Sequence, residues 1–190
     1  MKDLLYEKRT YRGRKGIHTL SVLVENKPGV LARIAGMFAR RGFNIESLAV
    51  GPTEDPSISR MTIVVKVEAK PLEHIIGQLD KLVNVLHIEE ISSEGGVQRE
   101  LMLIKVGAEP GTRSQIIEIS NIFRAKIVDV DPAALTLEAT GTPDKLQALI
   151  DMLEPHGILE TVKTGLIALD RGRHTIHDAY EHHKAQRDSA

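Results

Sequence analysis

The chain has 190 residues, and its 25 basic and 26 acidic side chains give a formal net charge of −1 at pH 7. This balance argues against a nucleic-acid-binding protein, and no apolar run approaches the ~18 residues of a membrane span. The absence of cysteine excludes disulfides and thiolate metal sites and fits a reducing cytoplasm. Aromatic residues make up only 3%, so the core must consist mainly of Val, Ile and Leu.

The first predicted unit follows a basic segment, residues 1–16, which lacks the apolar core of a secretory signal and is expected to be a solvated extension. Residues 20–24 alternate and are rich in β-branched side chains, as in a half-buried strand. Pro28 suits the first turn of a helix, because its missing N–H would be unpaired there anyway. Apolar positions from Val30 onward follow helical spacing, and Gly42 ends this helix.

The same domain continues with a second strand from Asn44, a loop at residues 51–57 and a third strand at residues 59–67. A second helix is predicted to begin at Pro71, and residues 85–92 form the fourth strand. The apolar stripe of the second helix consists of Leu72, Ile75, Ile76, Leu79, Leu82 and Val83.

This order of elements, βαββαβ, is the ferredoxin-like arrangement, a four-stranded antiparallel sheet with both helices on one face. The other face then needs cover from a second sheet or another subunit. Residues 93–98 include Ser-Glu-Gly-Gly and are predicted as a linker, after which the pattern restarts. The sequence therefore predicts an α+β fold with two tandem ferredoxin-like βαββαβ domains, at residues 17–92 and 99–170.

The second domain repeats the Pro-Gly helix entry at Pro110 and Gly111, and its first helix is predicted from Thr112. Its second helix has a Thr142 cap, followed by proline and an acidic residue. The loop lacks a counterpart of Asn26, so the repeat keeps the shape but not the ligand chemistry. The predicted strands are residues 99–106, 126–131, 135–140 and 158–164. The stripe of the first helix is Ile116, Ile117, Ile119, Ile122 and Phe123.

The helix entry before Val30 is a candidate ligand site. A helix N-terminus presents free N–H groups and partial positive charge, so it binds anions such as carboxylates. Asn26 and Asn44 flank the two ends of this unit, and each offers a donor and an acceptor, which suits a zwitterion. These residues alone leave open the alternative that Asn26 is only a helix cap and Asn44 only a turn residue.

Residues 171–190 are polar and contain half of the eight histidines. His174, His177, His182 and His183 could bind a metal at helical spacing, but no firm carboxylate or cysteine partner completes a site. We therefore expect a solvated tail. The sequence contains no GxxxxGK, GxSxG or HExxH motif and no dinucleotide-binding glycine fingerprint, and it offers no candidate catalytic residue.

Three segments carry a resemblance to one known family: ENKPGVLARI, RRGFNIESL and DPSISRMTI. With them, the chain closely resembles the regulatory (small) subunit of acetohydroxyacid synthase, also called acetolactate synthase, over about residues 17–170. A βαββαβ pattern alone would be generic, whereas the three segments together are specific.

The resemblance implies an N-terminal ACT domain, a second ferredoxin-like domain and no catalytic machinery, cofactor or metal on this chain. Thiamine diphosphate, Mg and FAD are expected on a separate catalytic (large) subunit. This chain indeed lacks the GDG…NN pattern of thiamine-diphosphate enzymes. Members of the family stimulate that subunit and make it sensitive to a branched-chain amino acid, usually valine.

The resemblance also implies where the effector binds, namely between the ACT domains of two chains in a homodimer. The loop before the first helix of one chain meets Asn44 and Ile45 of the other. Free N–H groups at Gly29, Val30 and Leu31 would take the carboxylate, and Leu31 with Ile45 would line the isopropyl pocket. The loop group consists of Asn26, Lys27, Pro28, Gly29, Val30 and Leu31.

Two other readings remain open. One is a free-standing ACT-domain amino-acid sensor with another target, for which the near-neutral charge makes direct DNA binding a poor fit. The other is an enzyme that uses the His-rich tail and a metal. Truncation after Asp170 distinguishes a metal enzyme from a regulator, because the enzyme would lose all activity and the regulator would not.

Overall fold

The computed structural model describes residues 16–67, 72–92 and 95–188. Residues 1–15 of the predicted N-terminal extension, the predicted helix start at Pro71 and residues 93–94 of the predicted linker lie outside these ranges. No helix in the described ranges is long and apolar enough to cross a membrane. The described residues fall into two compact units: the first contains those within Met1–Glu46, Gly51–Val97 and Leu169–Ala190, and the second contains Ser47–Val50 and Gln98–Ala168.

The elements follow the predicted order twice, with one strand and one helix added at the end. In chain order they are β1 (Ile17–Glu25), α1 (Val30–Arg41), β2 (Ile45–Pro52), β3 (Ile58–Lys66), α2 (Leu72–Leu79), β4 (Val85–Ile91), β5 (Gly96–Gly107), α3 (Arg113–Ile122), β6 (Lys126–Asp131), β7 (Ala134–Gly141), α4 (Pro143–Leu153), β8 (Ile158–Lys163), β9 (Ile167–Asp170) and α5 (Ile176–Asp188).

The first sheet has the strand order β2-β3-β1-β4, and β1 pairs antiparallel with both β3 and β4. The two helices α1 and α2 contact each other. Strand β1 is buried on both faces, where the alternating pattern predicted a half-buried strand. Leu20, Val22 and Val24 are buried on one face, and Ser21 and Leu23 are buried on the other. The predicted ferredoxin-like arrangement is confirmed for this unit.

The start of α1 differs from the prediction. The helix begins at Val30 with Gly29 as its N-cap, so Pro28 lies before the helix and not in its first turn. The reason is the left-handed conformation of Gly29, which cannot belong to a right-handed helix. The other end is as predicted, because Gly42 is a left-handed C-cap and Arg40 and Arg41 occupy the last turn.

The end of α2 also differs from the prediction. The helix stops at Leu79, and the next residues form turns in which Leu82 and Val85 donate to the carbonyls of Leu79 and Leu82. Val83, predicted to lie on the apolar stripe, is 91% exposed. The stripe therefore ends one turn earlier than the sequence pattern indicates.

The outer face of the first sheet is covered by the C-terminal segment. This segment was predicted to be a solvated tail, yet it forms α5, which contacts β1 and β4. Ile176 is only 4% exposed and packs with Leu23 and Ile58, and Tyr180 lies against the same cluster. Ile176 and Tyr180 are four residues apart and therefore lie on the same face of α5, the face that contacts the sheet.

This cover changes the environment of β3. Thr62 and Val64 lie on one face of this strand and Met61 and Ile63 on the other, and all four are buried. The strand is therefore buried on both faces.

The second unit repeats the topology, with strand order β6-β7-β5-β8 and β9 paired to β5. Strand β5 begins at Gly96, inside the segment predicted as a linker. Thr142 caps α4 as predicted, and its Oγ1 accepts from the Lys145 N–H at 3.4 Å. The core contains buried residues from the two central strands β5 and β7, from Ala108 just after β5, and from both helices: Met102, Ile104, Val106, Ala108, Ile116, Ile119, Leu135, Leu137, Ala139, Leu146, Leu149 and Leu153.

The stripe predicted for α3 is partly wrong. Ile116 and Ile119 are buried, but Ile122 is 69% exposed and Ile117 is also exposed. Because five apolar residues in eight positions cannot all face one side of a helix, the core takes those nearest Ile116 and buries Ser120 beside them.

We predict that Ile176→Ala destabilises the chain by about 2 kcal/mol, because it removes the buried anchor that seats α5 on the sheet. Urea denaturation of the full chain measures this change. Val83→Ala is the control, since it removes an exposed apolar side chain in the same unit, and it should shift stability by less than about 0.5 kcal/mol. Equal effects of the two substitutions would show that α5 does not contribute to the fold.

Candidate functional site

The start of α1 is shaped by a left-handed glycine. Gly29 has φ +83° and ψ −8°, a conformation that side chains other than glycine rarely adopt. No side chain caps the helix here. A Cβ built on Gly29 would meet no atom within 4 Å, so the space beside the backbone is open. A small ligand can therefore approach the main chain directly.

This helix end carries unpaired donors. Within the described residues, no hydrogen bond engages the N–H groups of Gly29 and Leu31, whereas the Val30 N–H makes a long 3.4 Å turn bond to the Lys27 carbonyl. The first turn contains no acidic residue that would offset the positive end of the helix dipole. The arrangement thus suits an anionic group such as a carboxylate.

Asn26 fastens the loop and does not cap the helix. Its backbone N–H donates to the Ser57 carbonyl at 2.7 Å, and its side-chain Nδ2 donates to the Pro56 carbonyl at 2.8 Å. The reading of Asn26 as a helix cap is therefore wrong, because the N-cap is Gly29. With Nδ2 engaged, the side chain has its Oδ1 acceptor to offer to a ligand.

Asp55 holds the loop before β3, whose carbonyls at residues 56–57 accept from Asn26. One oxygen of the Asp55 carboxylate accepts from both the backbone N–H and the hydroxyl of Ser57, at 2.8 and 2.7 Å. These bonds to the charged form lower the pKa of Asp55. The loop before β3 is thus a fixed platform for the loop before α1.

The loop before α1 is also held by hydrogen bonds to Glu25 at the end of β1. Glu25 accepts from Lys27 Nζ at 2.8 Å and from Asn84 Nδ2, and Asn84 Oδ1 accepts from Arg33 Nη1 at 2.7 Å. The bond from Lys27 first, and then that from Asn84, lowers the pKa of Glu25. Lys27, predicted as a site residue, therefore has its ammonium beside Glu25.

Asn44 and Ile45, which were predicted to meet the loop of another chain, lie at the start of β2. Asn44 is exposed and donates from Nδ2 to Glu46 at 2.7 Å, and Ile45 is half-buried at the start of β2. Within the described residues of one chain, no hydrogen bond joins Asn44 to the loop at residues 26–31. Leu31 is 42% exposed beside the free N–H groups, whereas the Val30 side chain is buried in the core.

The corresponding helix entry in the second unit is built differently. Gly111 is not left-handed, and α3 starts from Thr112, whose φ of −111° needs no glycine. The side chain of Arg113 fills the entry by donating from Nη2 to the carbonyls of Ala108 and Asp131, at 3.1 and 2.8 Å. The open, left-handed entry belongs to the first unit.

The sequence did not predict the groups that hold the loop before α1 in place. These groups are the side chains of Glu25, Arg33 and Asn84 and the carbonyls of residues 56–57. Arg33 and Asn84 are 51 positions apart, so no local spacing connects them. Asn84 marked only a helix end in the sequence.

Both halves of the chain match family models. One, described as an AHAS small subunit-like ACT domain, matches residues 20–87. Another, described as the small subunit of acetolactate synthase, matches residues 99–172.

Known proteins match over most of their length. The acetolactate synthase small subunit of Mycolicibacterium smegmatis is 61% identical over 155 residues, which are 82% of this chain and 91% of that protein. The probable acetolactate synthase small subunit of Archaeoglobus fulgidus is 54% identical over 82% of this chain and 97% of its own length. The crystal structure of the small subunit from Thermotoga maritima has a TM-score of 0.76 and 41% identity, covering 83% of this chain and 99% of that chain.

The identity, the nearly complete coverage of these relatives and the shared fold agree with the resemblance carried by the three segments. The chain therefore belongs to the acetolactate synthase small subunit family, and its first half contains the ACT domain of that family.

Proposed function

We propose that this chain is a non-catalytic regulatory subunit that activates the catalytic subunit of acetolactate synthase and makes it sensitive to feedback inhibition by valine. The observation that carries the proposal is the open N-terminus of α1, with its left-handed Gly29 and free N–H groups, in a member of this family. Thiamine diphosphate, Mg and FAD belong to the catalytic partner in this proposal.

The valine carboxylate binds the N–H groups of Gly29 and Leu31, which point out of the positive end of the helix. The Oδ1 atom of Asn26 is an acceptor suited to the ammonium group. The isopropyl group lies against the exposed Leu31 side chain.

Asn44 and Ile45 come from a second copy of the chain. Within one chain Asn44 makes no hydrogen bond to the loop, which supports a site completed by a homodimer. Ile45 closes the apolar side of the pocket, and Asn44 exchanges its bond to Glu46 for one to the ligand.

The regulatory effect follows from linkage. A ligand shared by two ACT domains favours one arrangement of the dimer, and only a difference in affinity between arrangements can shift the equilibrium. A coupling of ~1–3 kcal/mol is typical of allosteric control and suffices here. The activity of the catalytic subunit depends on the arrangement of the dimer.

We predict that Gly29→Asp abolishes inhibition by valine while activation of the catalytic subunit survives. The new carboxylate would occupy the position of the ligand carboxylate and repel it. The measurement is acetolactate formation by the catalytic subunit alone, with the variant, and with the variant plus millimolar valine. If the complex with the variant is inhibited at the same valine concentration as the wild-type complex, valine does not bind at Gly29.

Two controls separate charge from backbone strain. Gly29→Asn places a neutral side chain of the same shape at the same left-handed position, and it should retain more valine sensitivity than Gly29→Asp. Gly157→Asp adds the same charge at a left-handed glycine of the second unit, where φ is +82° and the space is also open. It should leave valine inhibition intact.

We predict that Asn44→Ala weakens valine binding by roughly fivefold to tenfold, because one hydrogen bond to a charged ligand is lost. Isothermal titration calorimetry of the full chain measures the dissociation constant. Asn121→Ala, which changes an exposed asparagine in the second unit, is the matched control and should bind valine as the wild type does. An unchanged constant for Asn44→Ala would remove this residue from the site.

A further inference from the structure

Three side chains that are distant in the sequence converge beside the N-terminal end of α5. His174 Nε2 lies 3.1 Å from Glu89 Oε1 and 3.9 Å from Asp170 Oδ2. One ligand atom from each of the three residues lies within 4.8 Å of the other two. Around a zinc ion with bonds of 2.0–2.2 Å, tetrahedral ligands are about 3.3–3.6 Å apart, so small movements of these side chains would place all three around one small cation.

The surroundings favour a cation over a simple ion pair. Glu89 and Asp170 are half-buried, and only His174 among the three is exposed. His87 Nε2, 3.4 Å from the same Glu89 oxygen, orients that carboxylate from the side.

A buried hydroxyl without a partner lies next to the same carboxylate. Ser21 is 1% exposed, and its Oγ has no hydrogen-bond partner among the described residues. Ser21 is the direct cross-strand partner of Glu89 in the β1–β4 ladder, so both side chains project from the same face of the sheet. This hydroxyl is available to a water molecule on an ion held by Glu89, and such a water completes a site with three protein ligands.

We propose that Glu89, Asp170 and His174 bind one Zn²⁺ ion per chain. One imidazole and two carboxylates form a mixed nitrogen and oxygen set that suits a first-row divalent transition metal. The sequence named His174 as a possible metal ligand without a firm carboxylate partner, and no local spacing connects it to Glu89, which lies 85 positions away.

The position of the site indicates what the ion does. His174 precedes α5 by two residues, and Glu89 lies on β4, the strand that α5 contacts. The ion therefore fastens the entry of α5 to the outer face of the first sheet, next to the anchor Ile176. It acts on the cover of the ACT domain and not on the valine site.

The test is a titration of the metal-stripped full chain, without a purification tag, with Zn²⁺ in competition with a chromophoric chelator. We expect one Zn²⁺ per chain at micromolar affinity or tighter. His174→Asn and Asp170→Asn should each weaken binding by about tenfold to 100-fold. Zn²⁺ should also slow hydrogen exchange of the α5 amides in the wild type and not in His174→Asn.

The matched control is His182→Asn, which changes an exposed histidine of α5 outside the cluster. It should bind Zn²⁺ with wild-type affinity. Circular dichroism verifies that each variant is folded. Sub-stoichiometric binding, equal affinity of the wild type and His174→Asn, or an equal loss in His182→Asn would overturn the proposal and leave the proposed regulatory function untouched.

Discussion

The left-handed conformation of Gly29 is the constraint on which the candidate site depends. It turns the chain out of β1 and into α1 while leaving the first N–H groups of the helix without a cap. An L residue at this φ costs roughly 1–2 kcal/mol, so glycine is needed for the turn itself. The absence of a Cβ also keeps the space before the helix open. One backbone angle thus serves both the fold and the access of a ligand.

The loop around Gly29 is held from two sides before any ligand arrives. Asn26 attaches it to residues 56–57, and the chain of bonds from Lys27 through Glu25 and Asn84 to Arg33 ties it to the start of β4 and to α1. A loop fixed in this way loses little conformational freedom on binding, so more of the contact energy appears as affinity. The second unit has the same topology without this bracing, and Arg113 fills its helix entry.

Local patterns predicted the elements but not their long-range surroundings. The Gly42 stop and the Thr142 cap are set by neighbours in the chain, and the structure confirms them. The burial of Thr62, the exposure of Val83 and the seating of α5 depend on residues far away in the sequence. For the same reason the position of the helix entry at residues 28–30 was predictable, whereas the contact of Asn84 with Glu25 and the convergence of Glu89 with His174 were not.

The central claim is that the N–H groups of Gly29 and Leu31 bind an amino-acid carboxylate. The most direct measurement is the change in the amide ¹⁵N and ¹H chemical shifts of the full chain on addition of valine or of isobutylamine, which lacks the carboxylate. The account predicts that valine produces its largest shifts at Gly29 and Leu31 and that isobutylamine leaves these amides unchanged. Equal shifts with both compounds, or valine-induced shifts confined to other regions, would contradict it.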